Sequence, residues 1–372
     1  MKLLHTADWH LGLSLGGISL LEEQRQWAEE LVTMAREQRA DAVLIAGDVF
    51  DRAVASAEAI ALYDETITRL ARDCGARVLL LAGNHDGAAR LSQLGALLEP
   101  SGVSVAGRLQ EPPRPVAVGD AEIYLIPYYH PEQVRLLYPD AQIHTAHEAM
   151  CALMDDIRAR RDPGKKLIIG AHCFVTGASP AESDYGAQLG GAAQIGAEVF
   201  DGADYVALGH LHRAQSPAPQ VRYSGTPYPY AFSEGACSAA LYDSGTGAVR
   251  LLPFHPARTL RVLRGTYDAV LDAAQADAGR DDYLKIELTD REAGLETLDA
   301  LRACYPNLVT LIGKAGRTGA AEALSVQELQ ALSARDLLDR FCAEIGGFTP
   351  EDGQAAWFLE ALQTAREGGG LQ

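Results

Sequence analysis

No stretch of this chain reaches the run of about 18 apolar residues that a membrane-crossing helix needs, and Met1 and Lys2 lead directly into Leu3-Leu4-His5-Thr6-Ala7-Asp8 with no apolar region of secretory-signal length. A soluble, cytoplasmic protein is expected, with no membrane partner. Paired cysteines are lacking too. The six (Cys74, Cys151, Cys173, Cys237, Cys304, Cys342) are scattered without a Cys-x-x-Cys, which excludes a zinc-finger frame and suits reduced thiols. Positive charge is scarce: 32 Lys and Arg stand against 50 Asp and Glu, a formal net charge of -18. That balance argues against a general affinity for polyanions. It leaves nucleic acid open as a substrate, because formal charge omits bound metal ions and phosphate contact can be local or shared with a basic partner. What the chain has in quantity is apolar residues, 48% of 372, enough for a large core and for two or three domains.

Ala42 to Ala46 is an apolar run of strand length that ends in Gly47-Asp48. The carboxyl ends of strands in open α/β sheets are where ligands bind. Four further runs end the same way: Leu3 to Thr6 before Asp8 and His10, Arg77 to Leu81 before Asn84 and His85, Leu167 to Ile169 before His172, and Tyr205 to Leu208 before His210 and His212. Helical spacing over about 20–35 and 56–72 alternates with these strands, so a layered α/β domain is expected over residues 1–255. Ser19-Leu20-Leu21-Glu22 reads as a capping box, and Pro112, Pro113 and Pro115 mark a turn. Segments 220–224, 237–242 and 248–253 read as hairpin strands. Residues 256–315 form a compact second α/β domain, 316–324 a linker, and 325–372 a helical segment.

Seven residues at those strand ends, Asp8, His10, Asp48, Asn84, His172, His210 and His212, make a mixed oxygen and nitrogen donor set. Such a set suits two divalent metal ions, manganese first, with iron or zinc as alternatives, in a hydrolase acting on phosphate esters. Each residue alone has a structural reading: an Asp after a strand caps a helix or forms a turn, and Asn84 suits a left-handed turn. Together they are harder to dismiss, since five of the ten histidines fall at these ends. Cys173 lies beside His172, but neighbouring residues of a strand face apart, which speaks against a ligand.

Asp8-Trp9-His10, Gly47-Asp48-Val49-Phe50-Asp51, Gly83-Asn84-His85-Asp86, Gly170-Ala171-His172 and Gly209-His210-Leu211-His212 resemble the ordered motif set of the calcineurin-like metallophosphoesterases. Within that superfamily the opening Met1 to Gly12 and Tyr223-Ser224-Gly225-Thr226-Pro227 resemble the SbcD branch of bacterial exonuclease subunits, relatives of the double-strand-break repair nucleases. The resemblance implies a β-sandwich flanked by helices, a small capping domain and a helical tail. It implies that Asp8, His10, Asp48 and His212 hold one ion and Asp48, Asn84, His172 and His210 the other, with His85 as the catalytic imidazole. Asp51 is expected to orient His85, with Asp86 the competing partner. Arg52, Tyr228 and Tyr230 are candidates to contact a nucleic-acid strand; the two tyrosines equally suit the core beneath the site, and Arg52 an exposed helix start.

Residues 320–372 carry nine acids against three bases, a net of -6, so this segment is not expected to bind DNA. Its two apolar stripes are too short for a core of their own. The resemblance assigns them to a coiled-coil ATPase of the SbcC type; a hairpin folded back on the second domain is the other reading. A DNA nuclease subunit, exonuclease on duplex ends and endonuclease on hairpins or single strands, is thus expected, as a homodimer within a heterotetramer. The alternative within the superfamily is a small-molecule or cyclic-nucleotide phosphodiesterase or phosphatase, and a non-catalytic scaffold would require missing ligands.

Overall fold

The structure is a computed structural model, which describes residues 1–181, 193–314, 333–342 and 349–367. Two compact units emerge, one comprising Met1–Val262, Asp277–Lys285 and Tyr305–Thr310, the other Leu263–Ala276, Ile286–Cys304 and Leu311–Gln372. The linker expected at 316–324 and the start of the tail lie outside the described residues.

The first unit contains two six-stranded sheets. In the first sheet the order is Ala248–Pro253, Ser238–Asp243, Lys2–Thr6, Ala42–Ala46, Arg77–Leu81, Val103–Ala106. In the second it is Gln215–Ala218, Val221–Tyr223, Tyr205–Gly209, Lys166–His172, Ala121–Ile126, Pro115–Val118. The strands that carry candidate ligands run parallel within each sheet, so their carboxyl ends emerge on one edge. Strand alternation assigns the side chains to layers. Ala42, Leu44, Leu79, Leu81, Ile123, Ile168 and Ala207 fill the space between the sheets. Val43, Ile45, Val78 and Leu80 face outward and pack with Trp27, Leu31 and Leu62 from helices Leu21–Gln38 and Ala57–Arg72. Tyr124, Ile126, Ile169, Val206 and Leu208 do the same with Leu153 and Ile157 of helix Ala146–Arg160. The expected layered α/β β-sandwich is what the chain forms.

Local expectations meet the structure unevenly. The expected capping box does not form: Leu20 holds the N-cap position without a side-chain bond, and Ser19, paired with Ser14 in a short hairpin, reaches the helix only through its Oγ, which accepts the Leu21 N–H at 3.4 Å. Pro115 opens an edge strand rather than only marking a turn, a position where its missing N–H costs little. Val221–Tyr223 pairs antiparallel with Gln215–Ala218, a strand not expected from the sequence, and runs parallel to Tyr205–Gly209. Helix Pro131–Leu137, unforeseen in the sequence, starts on a proline in its first turn, where a missing N–H is tolerated. Leu260–Gly265, Tyr283–Leu288 and Leu308–Ile312 form a three-stranded sheet. In the second unit, Thr266 caps helix Tyr267–Ala274 and Ser333 caps helix Ala334–Phe341. Among the described residues, no helix is long and apolar enough to cross a membrane. The six cysteines are unpaired, and burial pushes the Cys173 thiol up to about 12.

Candidate active site

Both sheets contribute to one cleft. Gly209 lies so close to the first sheet that a Cβ there would sit 1.9 Å from the Ala46 carbonyl oxygen. Gly47, at φ +92°, leaves room for His172, whose Nδ1 would be 2.2 Å from a side chain at that position. The two glycines therefore let the ends of three strands converge. Beyond them the backbone is strained where the chemistry is. Among the described residues six non-glycines have positive φ, and four of these are Asp8, His10, Asp48 and His210, a pattern that marks functional turns. The turns are bonded to each other, with the N–H groups of Asp8 and His10 donating to the carbonyls of Gly47 and Asp48.

Asp8, His10, Asp48 and His172 are buried and form the floor; Asn84, His85, His210 and His212 stand at a more open rim. His172 Nδ1 donates to the Ala46 carbonyl at 2.8 Å, which turns Nε2 toward Asn84 Oδ1 at 2.9 Å and Asp48 Oδ2 at 3.3 Å. His210 Nδ1 lies 3.0 Å from the same Asn84 oxygen and 3.2 Å from His172 Nε2. On the other side His10 Nε2 lies 3.1 Å from His212 Nε2 and 3.9 Å from Asp48 Oδ2. His210 N–H donates to the Asp8 carboxylate at 3.0 Å. Lone-pair donors thus face one another across two short gaps, an arrangement reconciled only by protons or cations. Among the described residues three trios group tightly enough to hold a metal ion: Asp8, His10 and His212; Asp8, Asp48 and His172; and His10, Asp51 and His85. The residues present fit divalent metal ions.

Electrostatics agree with that reading. Burial raises the Asp8 pKa to about 7 against the pull of His172. Burial also opposes charge on Asp48 and His172, but the pair outweighs it: Asp48 is held well below the carboxylate range, and His172 is pushed up to about 9. Burial, then the neighbouring imidazoles, lowers His10 far below its ordinary value and His210 to about 3. A buried cluster of this kind carries more donor atoms than the available protons neutralise.

His85 sits at the rim with its ring edge-on to His10, centroids 4.9 Å apart. Its N–H donates to Asp48 Oδ1 at 2.8 Å. Its Nδ1 lies 3.0 Å from the main-chain carbonyl of Asp51, and the Asp51 carboxylate also groups with the ring nitrogens of His85 and His10, all within 4.8 Å of one another. The carboxylate itself meets Arg52 at 3.3 Å. Asp86 accepts from the N–H groups of Val49, Phe50 and Gly83, tying the Asp48 turn to the Asn84 turn.

Among the substrate-contact candidates, Tyr228 and Tyr230 are 1% and 5% exposed and belong to the core, leaving no ring face for a base. Arg52 is solvent-exposed. Two residues of the cleft escaped the sequence reading. Tyr128, stacked at 30° on the His210 ring, lines a cavity of about 410 Å³ that also touches Asn84, His172 and Phe174. It follows the end of strand Ala121–Ile126, so the strand-end rule pointed to it. Glu234, facing His212 at 3.3 Å, lies in a Ser-Glu-Gly turn with no such signal.

Comparison with known proteins matches the chain in two stretches. A family model described as calcineurin-like phosphoesterase matches residues 1–214. A second, described as the Type 5 capsule protein repressor C-terminal domain and named SbcD_C, matches residues 256–345. The D subunit of nuclease SbcCD from Staphylococcus epidermidis is 28% identical over 317 residues, 84% of this chain and 85% of that protein. Two solved structures, a novel archaeal phosphodiesterase and a protein of Thermus thermophilus, share 10% and 14% identity over 68% of this chain and 100% and 98% of theirs. Their TM-scores, 0.34 and 0.38, are too low for either to bear on the argument.

Proposed function

This chain belongs to the calcineurin-like phosphoesterase family, and from that membership we propose that it is the nuclease subunit of an SbcCD-type complex that processes DNA breaks and hairpins. It is a phosphodiester hydrolase. The observation that carries the DNA reading is the likeness to a nuclease subunit along 84% of the chain, second domain included. A phosphodiesterase for small molecules has no need of that second domain or of the tail.

In this proposal Asp8, His10, Asp48 and His212 hold one divalent ion and Asp48, Asn84, His172 and His210 the other, manganese by preference, with iron or zinc as alternatives. When bound, the ions supply a water acidic enough to attack at neutral pH and positive charge for the oxygens of the displacement. The side chains do the rest. The Ala46 carbonyl fixes the His172 tautomer. Asp48 lies between the two sets and also anchors the His85 main chain. With Nδ1 facing the Asp51 carbonyl, His85 presents Nε2 to the cleft, where it stabilises the phosphate oxygens or gives a proton to the departing one. Arg52, exposed beside Asp51, is available to a DNA phosphate.

The tail supports a partner of the SbcC type. In helix Asp352–Glu367, Trp357 is 80% exposed and Phe358 and Leu359 are more than a third exposed, apolar surface that suits a second protein. A homodimer within a heterotetramer is the assembly we propose. The test is manganese-dependent hydrolysis of an end-labelled linear duplex, with closed circular duplex and a cyclic nucleotide alongside and Asp48→Asn as control. Nucleotide release from the linear duplex alone, lost in the variant, is expected. Turnover of the cyclic nucleotide with both DNAs intact, even with the ATPase added, would move the function to the small-molecule reading.

A further inference from the structure

The structure assigns Glu234 as a positioning residue that sets which ring nitrogen of His212 carries the proton and so presents Nε2 to the metal cleft. The inference rests on the metal-dependent reading of the site. The side chain of Glu234 is buried, 3% exposed, and both its oxygens are engaged. Oε2 accepts the Tyr230 main-chain N–H at 2.6 Å, and Oε1 faces His212 Nδ1 at 3.3 Å. An ionised carboxylate only accepts, so His212 Nδ1 donates. Its Nε2 lone pair then points toward His10 Nε2, 3.1 Å away. The same loop is fixed to the opposite wall, because the Tyr230 hydroxyl donates to the carbonyl of Trp9, the neighbour of His10. Glu234 thus connects a rim imidazole to the turn that carries two floor donors. A carboxylate behind a metal-binding histidine fixes its tautomer and raises its basicity.

The arrangement makes a specific demand on substitution. In Glu234→Gln the Tyr230 N–H still requires an oxygen, which leaves the amide NH2 facing His212 Nδ1. That nitrogen must then accept, and the ring proton moves to Nε2, where the metal lone pair is needed. The expected result is a manganese affinity at one of the two sites weakened by about 10- to 100-fold, the usual effect of such partners, measured by calorimetric titration, with the other site unchanged. Nitrogen-15 NMR of the metal-free protein in mildly alkaline buffer should show His212 protonated at Nδ1 in the wild type and at Nε2 in the variant. A purely structural Glu234 would lower thermal stability and leave the tautomer alone. Wild-type manganese affinity at both sites in Glu234→Gln, or a wild-type His212 protonated at Nε2, would overturn the assignment. The wild-type spectrum decides the matter even if the variant fails to fold. Neither readout depends on DNA cleavage, so loss of the nuclease reading and loss of this one are distinguishable.

Discussion

His5 makes the fold acid-sensitive in a way that can be worked out in advance. It lies fully buried in the first strand, with Nε2 donating to the Leu208 carbonyl at 3.1 Å and Nδ1 accepting from the Tyr205 hydroxyl at 3.0 Å. Both bonds use the neutral ring, and burial lowers its pKa from 6.5 to about 3. A histidine depressed in the folded state contributes stability that is complete above its unfolded value and is lost as pH falls below it. Between pH 6.5 and 4 the loss is about 2.5 pH units, or roughly 3 kcal/mol at 1.36 kcal/mol per unit. At about 2–4 °C per kcal/mol this lowers the thermal midpoint by roughly 6–12 °C. The assay is thermal unfolding from pH 8 to pH 4 with chelator throughout, comparing wild type with His5→Gln, which keeps one donor and one acceptor but does not titrate. The wild type should lose roughly 3 kcal/mol more than the variant over that interval. Parallel curves would refute the buried, neutral assignment of His5.

Three further outcomes follow from the cleft. Because His172 is raised to about 9 by Asp48 and Asp8, manganese must displace a proton at neutral pH. Calorimetry in buffers of different ionisation enthalpy should show proton release, with affinity rising toward pH 9; buffer-independent heats would contradict this. Asp51→Asn should leave metal content unchanged and hydrolysis within a few-fold of wild type, since the contact to the His85 ring is a main-chain carbonyl. A loss of orders of magnitude in turnover would return the role to the carboxylate. Deleting residues 325–372 should abolish co-purification with an SbcC-type ATPase and spare manganese-dependent hydrolysis, and retained co-purification would remove the tail from the partner interface.

The strands that build the cleft were legible because each is a short, largely buried and mostly apolar run followed by glycine or a polar residue, as in Ala42–Ala46 before Gly47-Asp48. Sequence shows which residues end a strand, and parallel pairing carries those ends to one edge. That the ends divide between two sheets was implied only by resemblance, because it depends on pairings such as Val206 with Val221 that span no recognisable turn. Ser19 misled by one position: its hydroxyl does reach the first helical N–H, that of Leu21, but the helix starts one residue later than the capping box requires, with Leu20 as N-cap. The Asp51–His85 pairing was legible as a pair of residues, whereas the share of it made by the Asp51 main-chain carbonyl was not, since backbone contacts carry no mark in sequence. Glu234 was invisible because its partners, His212 and Tyr230, meet it through a loop with no periodicity.

The central claim is that two metal ions share Asp48 at the junction of the two sheets. Crystals grown with manganese and measured at its absorption edge test it most directly. The account predicts two anomalous peaks in the cleft, both in contact with the Asp48 carboxylate, one also touching His10 and His212 and the other Asn84, His172 and His210. A single peak, or manganese bound away from Asp48, would contradict it.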